Sequence, residues 1–169
     1  DNYPLWEGKG APYEGGIRVP LIIKWPGKVK PGTTSSLPVT GVDFYPTFVK
    51  IANGKPASDL DGKDLFSLLR KKEYNRDLYW HFPAYLQSYK KRGKEWRAPP
   101  YSSIRSGDWK LIYYYEDKSV ELFNLKDDLS EEHDLSRIHS DKRKELYVKL
   151  MDWLLKTQAP IPTELNPDY

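Results

Sequence analysis

The sequence predicts an α+β fold: a small antiparallel sheet of about four strands packed on a C-terminal helix, preceded by a strand and helices. Three observations predict it. Short runs rich in aromatic and β-branched residues, 78–82, 101–105, 110–115 and 120–123, alternate with turn residues. Ser106-Gly107-Asp108 stands between the second and third runs as a hairpin turn. Finally, Leu146, Leu150, Trp153 and Leu154 recur at helical spacing on one face of a segment that Ser140 would cap. Such a face belongs on the apolar side of a sheet, the usual two-layer arrangement.

The elements follow in order. The chain opens on Pro4-Leu5-Trp6-Glu7-Gly8-Lys9-Gly10, then Tyr13-Glu14-Gly15-Gly16-Ile17-Arg18-Val19-Pro20. A lysine between two glycines sits on backbone that can approach a ligand closely, and its charge suits an anionic oxygen group. The β-branched run 17–23 reads as a buried strand that stops at Pro26-Gly27. Residues 31–36 form a loop by composition. Asp43 is placed as the N-cap of a helix whose Phe44, Phe48, Ile51 and Ala52 share an apolar face and which Gly54 stops. A second short helix is expected over 64–71, burying Leu65, Leu68 and Leu69. Pro83 ends the first strand of the sheet, and Glu116-Asp117-Lys118-Ser119 turns the chain into the fourth.

Composition narrows the function classes. A chain of 169 residues permits one ordinary domain, and its net charge of +3 diagnoses no nucleic-acid partner. No stretch approaches the roughly 18 apolar residues of a membrane span. With no cysteine, a disulfide framework and a thiolate metal site are both excluded, while the compartment stays open.

The opening run resembles the segment P-L-R-x-G-K-G-x-x-[YW]-E-G-G-[IV]-R-x-P of sulfatases, in the alkaline-phosphatase-like superfamily, with Trp6 where arginine is usual. The resemblance continues through Asp43-Phe44-Tyr45-Pro46-Thr47, Leu60-Asp61-Gly62, Ser103-Ile104-Arg105-Ser106-Gly107-Asp108-Trp109-Lys110-Leu111 and Glu121-Leu122-Phe123-Asn124-Leu125. It implies that residues 1–75 are the C-terminal edge of an α/β catalytic domain and residues 76–169 the C-terminal α+β subdomain. The family's formylglycine comes from Cys/Ser-x-Pro-x-Arg, and its calcium ligands lie upstream of the lysine. Neither is found here, and in Asp1-Asn2 the following Pro4 departs from the family's metal-binding Asp-Asn-Gly. The expectation is therefore the C-terminal fragment of a sulfatase, inactive alone. Its partners would be the N-terminal catalytic part of the same polypeptide and a sulfated small molecule or carbohydrate. Calcium and formylglycine belong to the parent and none is held by this chain; no nucleic acid and no membrane are expected, and the parent would be periplasmic or secreted.

Among single residues, the resemblance makes Lys9 the catalytic candidate, contacting the sulfate group and stabilising charge on its oxygens. Trp6 and His81 are the substrate-binding candidates; for His81 the alternative is a histidine packed among aromatics with both nitrogens satisfied. Glu14 and Arg18 read more readily as an ion pair fixing the Gly15-Gly16 turn than as catalytic groups. Tyr85, Tyr89, Trp96 and Tyr101, interleaved with Lys90, Lys91, Arg92, Lys94 and Arg97, suit either a solvated insertion loop or a grip on a sulfated sugar. His133, His139 and the acidic run Asp127 to Asp134 read as surface. Two other classes stay open: a phosphatase or phosphodiesterase of the same superfamily, and a stand-alone module binding anionic carbohydrate.

Overall fold

The computed structural model describes residues 2–70, 76–87, 96–164 and 166–167. They group into two compact units, one of residues 1–20 with 76–169 and the other of residues 21–75. In chain order the helices are α1 (Glu14–Ile17), α2 (Phe44–Ile51), α3 (Leu65–Arg70) and α4 (Ser140–Lys156). The strands are β1 (Asp77–Phe82), β2 (Leu86–Gln87), β3 (Trp96–Ala98), β4 (Tyr101–Ser106), β5 (Trp109–Tyr114) and β6 (Val120–Asn124).

The larger unit is built on the antiparallel sheet β1-β4-β5-β6, the four strands expected. Ser106 pairs with Trp109 across a two-residue turn in which Gly107 takes φ +60°, a left-handed conformation that glycine adopts without a Cβ penalty. Because strand side chains alternate, the register sorts them onto two faces. Ile104, Leu111 and Leu122 meet Leu146, Leu150 and Leu154 of α4, and all six are buried. Trp153 stacks on Tyr79 with ring centroids 4.7 Å apart. The residue preceding α4 is His139, so Ser140 is its first helical residue rather than its cap.

The opposite face is not left to solvent, which a two-layer picture did not anticipate. Ala98, Tyr101, Ile112, Phe123 and Leu125 form a second buried cluster there, packed by Tyr13, Phe82 and Leu86. The cover comes from the N-terminal segment and from the ribbon β2–β3, paired through Leu86 and Ala98. Tyr101 is thus core rather than part of an aromatic loop. Tyr89, Lys90, Lys91, Arg92 and Lys94 lie outside the described residues.

The run 17–23 does not form the expected strand. Ile17 closes the single turn α1, and Val19 and Ile22 are exposed, Ile22 to 90%. No strand of the described residues pairs with this run, so its β-branched side chains have no sheet to pack on.

In the smaller unit α2 starts after Asp43, as expected, but Asp43 does not cap it with its side chain. A 3-10 turn over Gly41–Asp43 leads into it, and Asp43 reaches back to accept the Thr40 N–H at 2.8 Å instead of capping forward. Its other oxygen accepts the Lys63 N–H at 2.8 Å, which accounts for its complete burial. The buried residues of α2 are Pro46 and Thr47, whereas Phe48 is 62% exposed and Ile51 is exposed too. The apolar face read from the sequence therefore points away from the unit. The helix ends at Ile51, and past its cap Ala52 the chain turns away through Asn53, in the left-handed region, with Gly54 N–H bonding Val49 O at 2.8 Å. α3 buries Leu65 and Leu68 behind the cap of Asp64, but Leu69 is exposed.

Candidate functional site

The Lys9 loop is fixed by its backbone. Gly15 N–H donates to Trp6 O at 3.1 Å, Ala11 N–H to Gly8 O at 3.0 Å, and the Asn2 side-chain amide to Gly15 O at 2.6 Å. A Cβ on Gly15 would fall 2.2 Å from Trp6 O, and one on Gly16 2.1 Å from Ala11 O. The glycine pair thus exists so that one stretch of backbone can lie on another. Above this support Lys9 is exposed and Trp6 is 48% exposed. Gly10, at φ +94°, packs against Leu86 and Arg97 of the ribbon.

Beneath the loop lies a cluster of charges. Glu14 is buried, and Lys110 of the inner strand β5 is 0% exposed. Lys110 Nζ lies 3.2 Å from Glu14 Oε1 and 2.8 Å from Glu131 Oε1. Glu131 Oε2 accepts the Glu14 backbone N–H at 2.5 Å. Arg105 and Arg18 each approach Glu14 Oε2 at 3.6 Å. Burial raises the Glu131 carboxyl above its ordinary value, opposed by the Lys110 charge and its hydrogen bond. The Glu14–Arg18 ion pair expected at the turn is present, but it is the outer part of this larger network.

A second polar group stands on the same face. Tyr13 O–H donates to Glu121 Oε2 at 2.9 Å, and the Tyr114 hydroxyl lies 3.0 Å from that of Tyr13 and 3.1 Å from the same carboxylate oxygen. Burial, then neighbouring charge, raises both phenols well above their ordinary range. Burial also raises Glu121, against the two tyrosine hydrogen bonds.

His81 is placed apart from the Lys9 loop, on the α4 face of β1, opposite Ser102. Its Nδ1 is 2.7 Å from Ser102 Oγ, and its Nε2 is 3.0 Å from the Pro160 carbonyl. A carbonyl only accepts, so Nε2 carries the proton there and Nδ1 is left to accept from Ser102. The structure therefore brings Trp6 and Lys9 together and leaves His81 on the other face. His133 and His139 are exposed.

Sequence reasoning missed Lys110, Glu131 and Arg105. The one available signal was Lys110 itself, a cation amid the apolar run Trp109-Lys110-Leu111-Ile112. Glu131, expected at the surface with the rest of the acidic run, is buried by its contacts with Lys110 and the Glu14 N–H; it carried no signal, since its neighbours Glu132, His133 and Asp134 are exposed as expected.

A sequence profile of the family described as N-sulphoglucosamine sulphohydrolase, C-terminal, matches residues 5–159. The chain belongs to that family, the C-terminal portion of sulfatases. It is 39% identical to a sulfatase of Formosa agariphila over 95% of this chain and 31% of that protein. It is 34% identical to an N-acetylglucosamine-6-O-sulfatase of Bacteroides thetaiotaomicron over 83% of this chain and 25% of that one. The crystal structure of Ps i-CgsB in complex with k-i-k-neocarrahexaose superposes with a TM-score of 0.73 at 30% identity, covering 90% of this chain and 32% of that one. The sulfatase C-terminal portion thus spans about a third of the length of these relatives.

Among the described residues no group of three His, Cys, Asp or Glu side chains is placed to hold a metal ion. The sequence contains neither Cys-x-Pro-x-Arg nor Ser-x-Pro-x-Arg.

Proposed function

We propose that this chain, joined to an N-terminal catalytic part of the same polypeptide, hydrolyses sulfate esters of carbohydrates and supplies Lys9 to the sulfate group. The observation that carries the reading is the Lys9 loop: an exposed cation between Gly8 and Gly10, fixed from below by the Gly15-Gly16 pair. A donor held in advance stabilises charge that grows on sulfate oxygens as the ester bond breaks, without reorganising at that moment. Trp6, half-exposed on the same loop, offers an aromatic face to a sugar ring. His81 would contact substrate only by exchanging the Pro160 carbonyl for a substrate oxygen at Nε2.

Calcium and formylglycine would be supplied by the N-terminal part, so the 169-residue chain alone is expected to be inactive. We assign residues 1–75 to the edge of that part's α/β domain and residues 76–169 to the C-terminal subdomain, with residues 1–20 grouping with the latter. The exposed apolar residues Phe48, Tyr45 and Ile51 support such a neighbour, since a surface patch of this kind ordinarily meets a partner. The names of the relatives support a carbohydrate substrate. No nucleic-acid or membrane partner is proposed; no helix of the described residues is long and apolar enough to cross a membrane.

The test is turnover of sulfated oligosaccharides by the joined polypeptide, its Lys9→Ala variant and the isolated chain. Lys9→Ala is expected to lower kcat on the order of 100-fold, the scale of losing one such donor. Turnover by the isolated chain, or a Lys9→Ala variant with full activity, would refute the reading. Calorimetric binding of the oligosaccharides by the isolated chain would favour a carbohydrate-binding module instead.

A further inference from the structure

We infer that Lys110 and Glu131 are positioning residues for Lys9, forming a buried ionic clip that sets the loop carrying the lysine. This rests on the reading of Lys9 as the sulfate contact. The clip begins where an ion is least expected. Lys110 is fully buried on β5, between β4 and β6, where an apolar side chain would pack with Ile112 and Phe123 at no desolvation penalty. Replacing a whole buried ion pair by apolar side chains is often neutral for stability, whereas the pair's contacts can fix one arrangement.

Here the fixed object is backbone. Glu131 uses both oxygens, one on Lys110 Nζ at 2.8 Å and one on the Glu14 N–H at 2.5 Å. That N–H begins α1 and has no partner inside the helix. Glu131 itself stands at φ +56°, a conformation a non-glycine residue keeps only when its surroundings dictate it. Asp128 dictates it, by accepting the Glu132 and His133 N–H groups on the turn that carries Glu131.

From Glu14 the restraint passes on without slack. Gly15 N–H holds Trp6 O, and Gly16 lies so close to Ala11 O and Gly8 O that Cβ positions there would be 2.1 and 2.9 Å away. Residues 6, 8 and 11 bracket Lys9. Two residues more than ninety positions downstream thereby set the loop, and a displacement of Glu14 would move Lys9 with it.

Two experiments test this. In the joined polypeptide, Lys110→Met is expected to lower kcat by about 100-fold, the effect of a misplacement near 1 Å, with KM little changed. Lys110→Arg should restore part of the loss, and Lys9→Ala/Lys110→Met should be no slower than Lys9→Ala, because both act through one group. Glu131→Gln, nearly isosteric, carries the same test if Lys110→Met does not fold. Should Lys9→Ala be impaired while Lys110→Met or Glu131→Gln keeps its kcat, the clip is overturned and the sulfate reading stands. Should Lys9→Ala be unimpaired, both fall.

The second experiment needs no activity: amide hydrogen exchange on the 169-residue chain. Lys110→Met or Glu131→Gln should lose protection at Ala11, Gly15 and Gly16 while Leu146, Leu150 and Leu154 keep theirs. Equal loss at all of these amides, or no loss at the first three, overturns the inference.

Discussion

The two faces of one sheet are covered by different physics. On one face α4, seventeen residues long, lays Leu146, Leu150 and Leu154 on Ile104, Leu111 and Leu122. On the other, beside the apolar cluster of Ala98, Tyr101, Ile112, Phe123 and Leu125, a single helical turn, α1, is held by Lys110, Glu131, Arg105 and the Tyr13–Tyr114–Glu121 group. Apolar burial scales with area and has little direction, so it suits a long helix that need only stay in place. A four-residue turn is far too short to be stable alone and buries little. Ions and hydrogen bonds give it what area cannot, a defined orientation. The face that holds the chain together and the face that points its candidate lysine are thus separable.

The largest effects should come from breaking each face at its centre. Lys110→Met removes the cation between two buried carboxylates, leaving Glu14 its contacts with Arg18 and Arg105 but taking the ion pair from Glu131, and is expected to destabilise the chain by about 4 kcal/mol, as in other broken buried ion pairs. Leu150→Ala removes a fully buried side chain from the α4 face and should cost about 3 kcal/mol through lost burial and the cavity left behind. Urea unfolding reads both. If Lys110→Met is instead neutral, the charges of Glu14 and Glu131 are not desolvated as their burial requires, and the contrast between the faces dissolves.

The α4 face was legible because its signals are local. The aromatic and β-branched runs of β4 and β5, the Gly107 turn and the spacing of Leu146, Leu150 and Leu154 each sit within a few neighbours. The other face was not legible, because its contacts join residues about a hundred positions apart, such as Tyr13 with Glu121 and Glu14 with Lys110. Glu131 looks in sequence like Glu132, yet one is buried and the other exposed. The run 17–23 and the Phe48 face of α2 failed differently. Their patterns are real, but no described residues of this chain cover Ile22 or Phe48 as the patterns require. Of the candidate site, the Lys9 loop was readable as a motif, while what fixes it had to be seen in three dimensions.

A smaller effect is expected at the join between clip and loop. Gly16→Ala puts a methyl group against the Ala11 carbonyl, with no side chain there to yield, and should cost about 2 kcal/mol, the scale of overpacking. The loss should appear as faster exchange at Ala11 and Gly15, with α4 unaffected. Faster exchange in α4 as well would mean that the two faces are not independent.

The smallest effect, and the sharpest test of the contrast, is alkaline stability. On the α4 face burial, reinforced by the Asp77 charge, pushes Tyr79 from an ordinary value of 10.0 up to about 12. A phenol whose value is raised by folding favours the folded state fully below pH 10, and that contribution is lost as pH rises from 10 towards 12. Tyr13 and Tyr114 are raised further by burial and by Glu121, so their loss also begins near 10 but continues to higher pH. Unfolding measured from pH 8 to the alkaline limit should therefore flatten slightly in Tyr79→Phe and more in Tyr13→Phe/Tyr114→Phe. Equal flattening would show that the polar face carries no more buried electrostatics than the apolar one, against the division argued from Lys110 and Leu150. Unequal flattening in the expected order would place the pH sensitivity of this chain beside Glu14, on the face that holds the Lys9 loop.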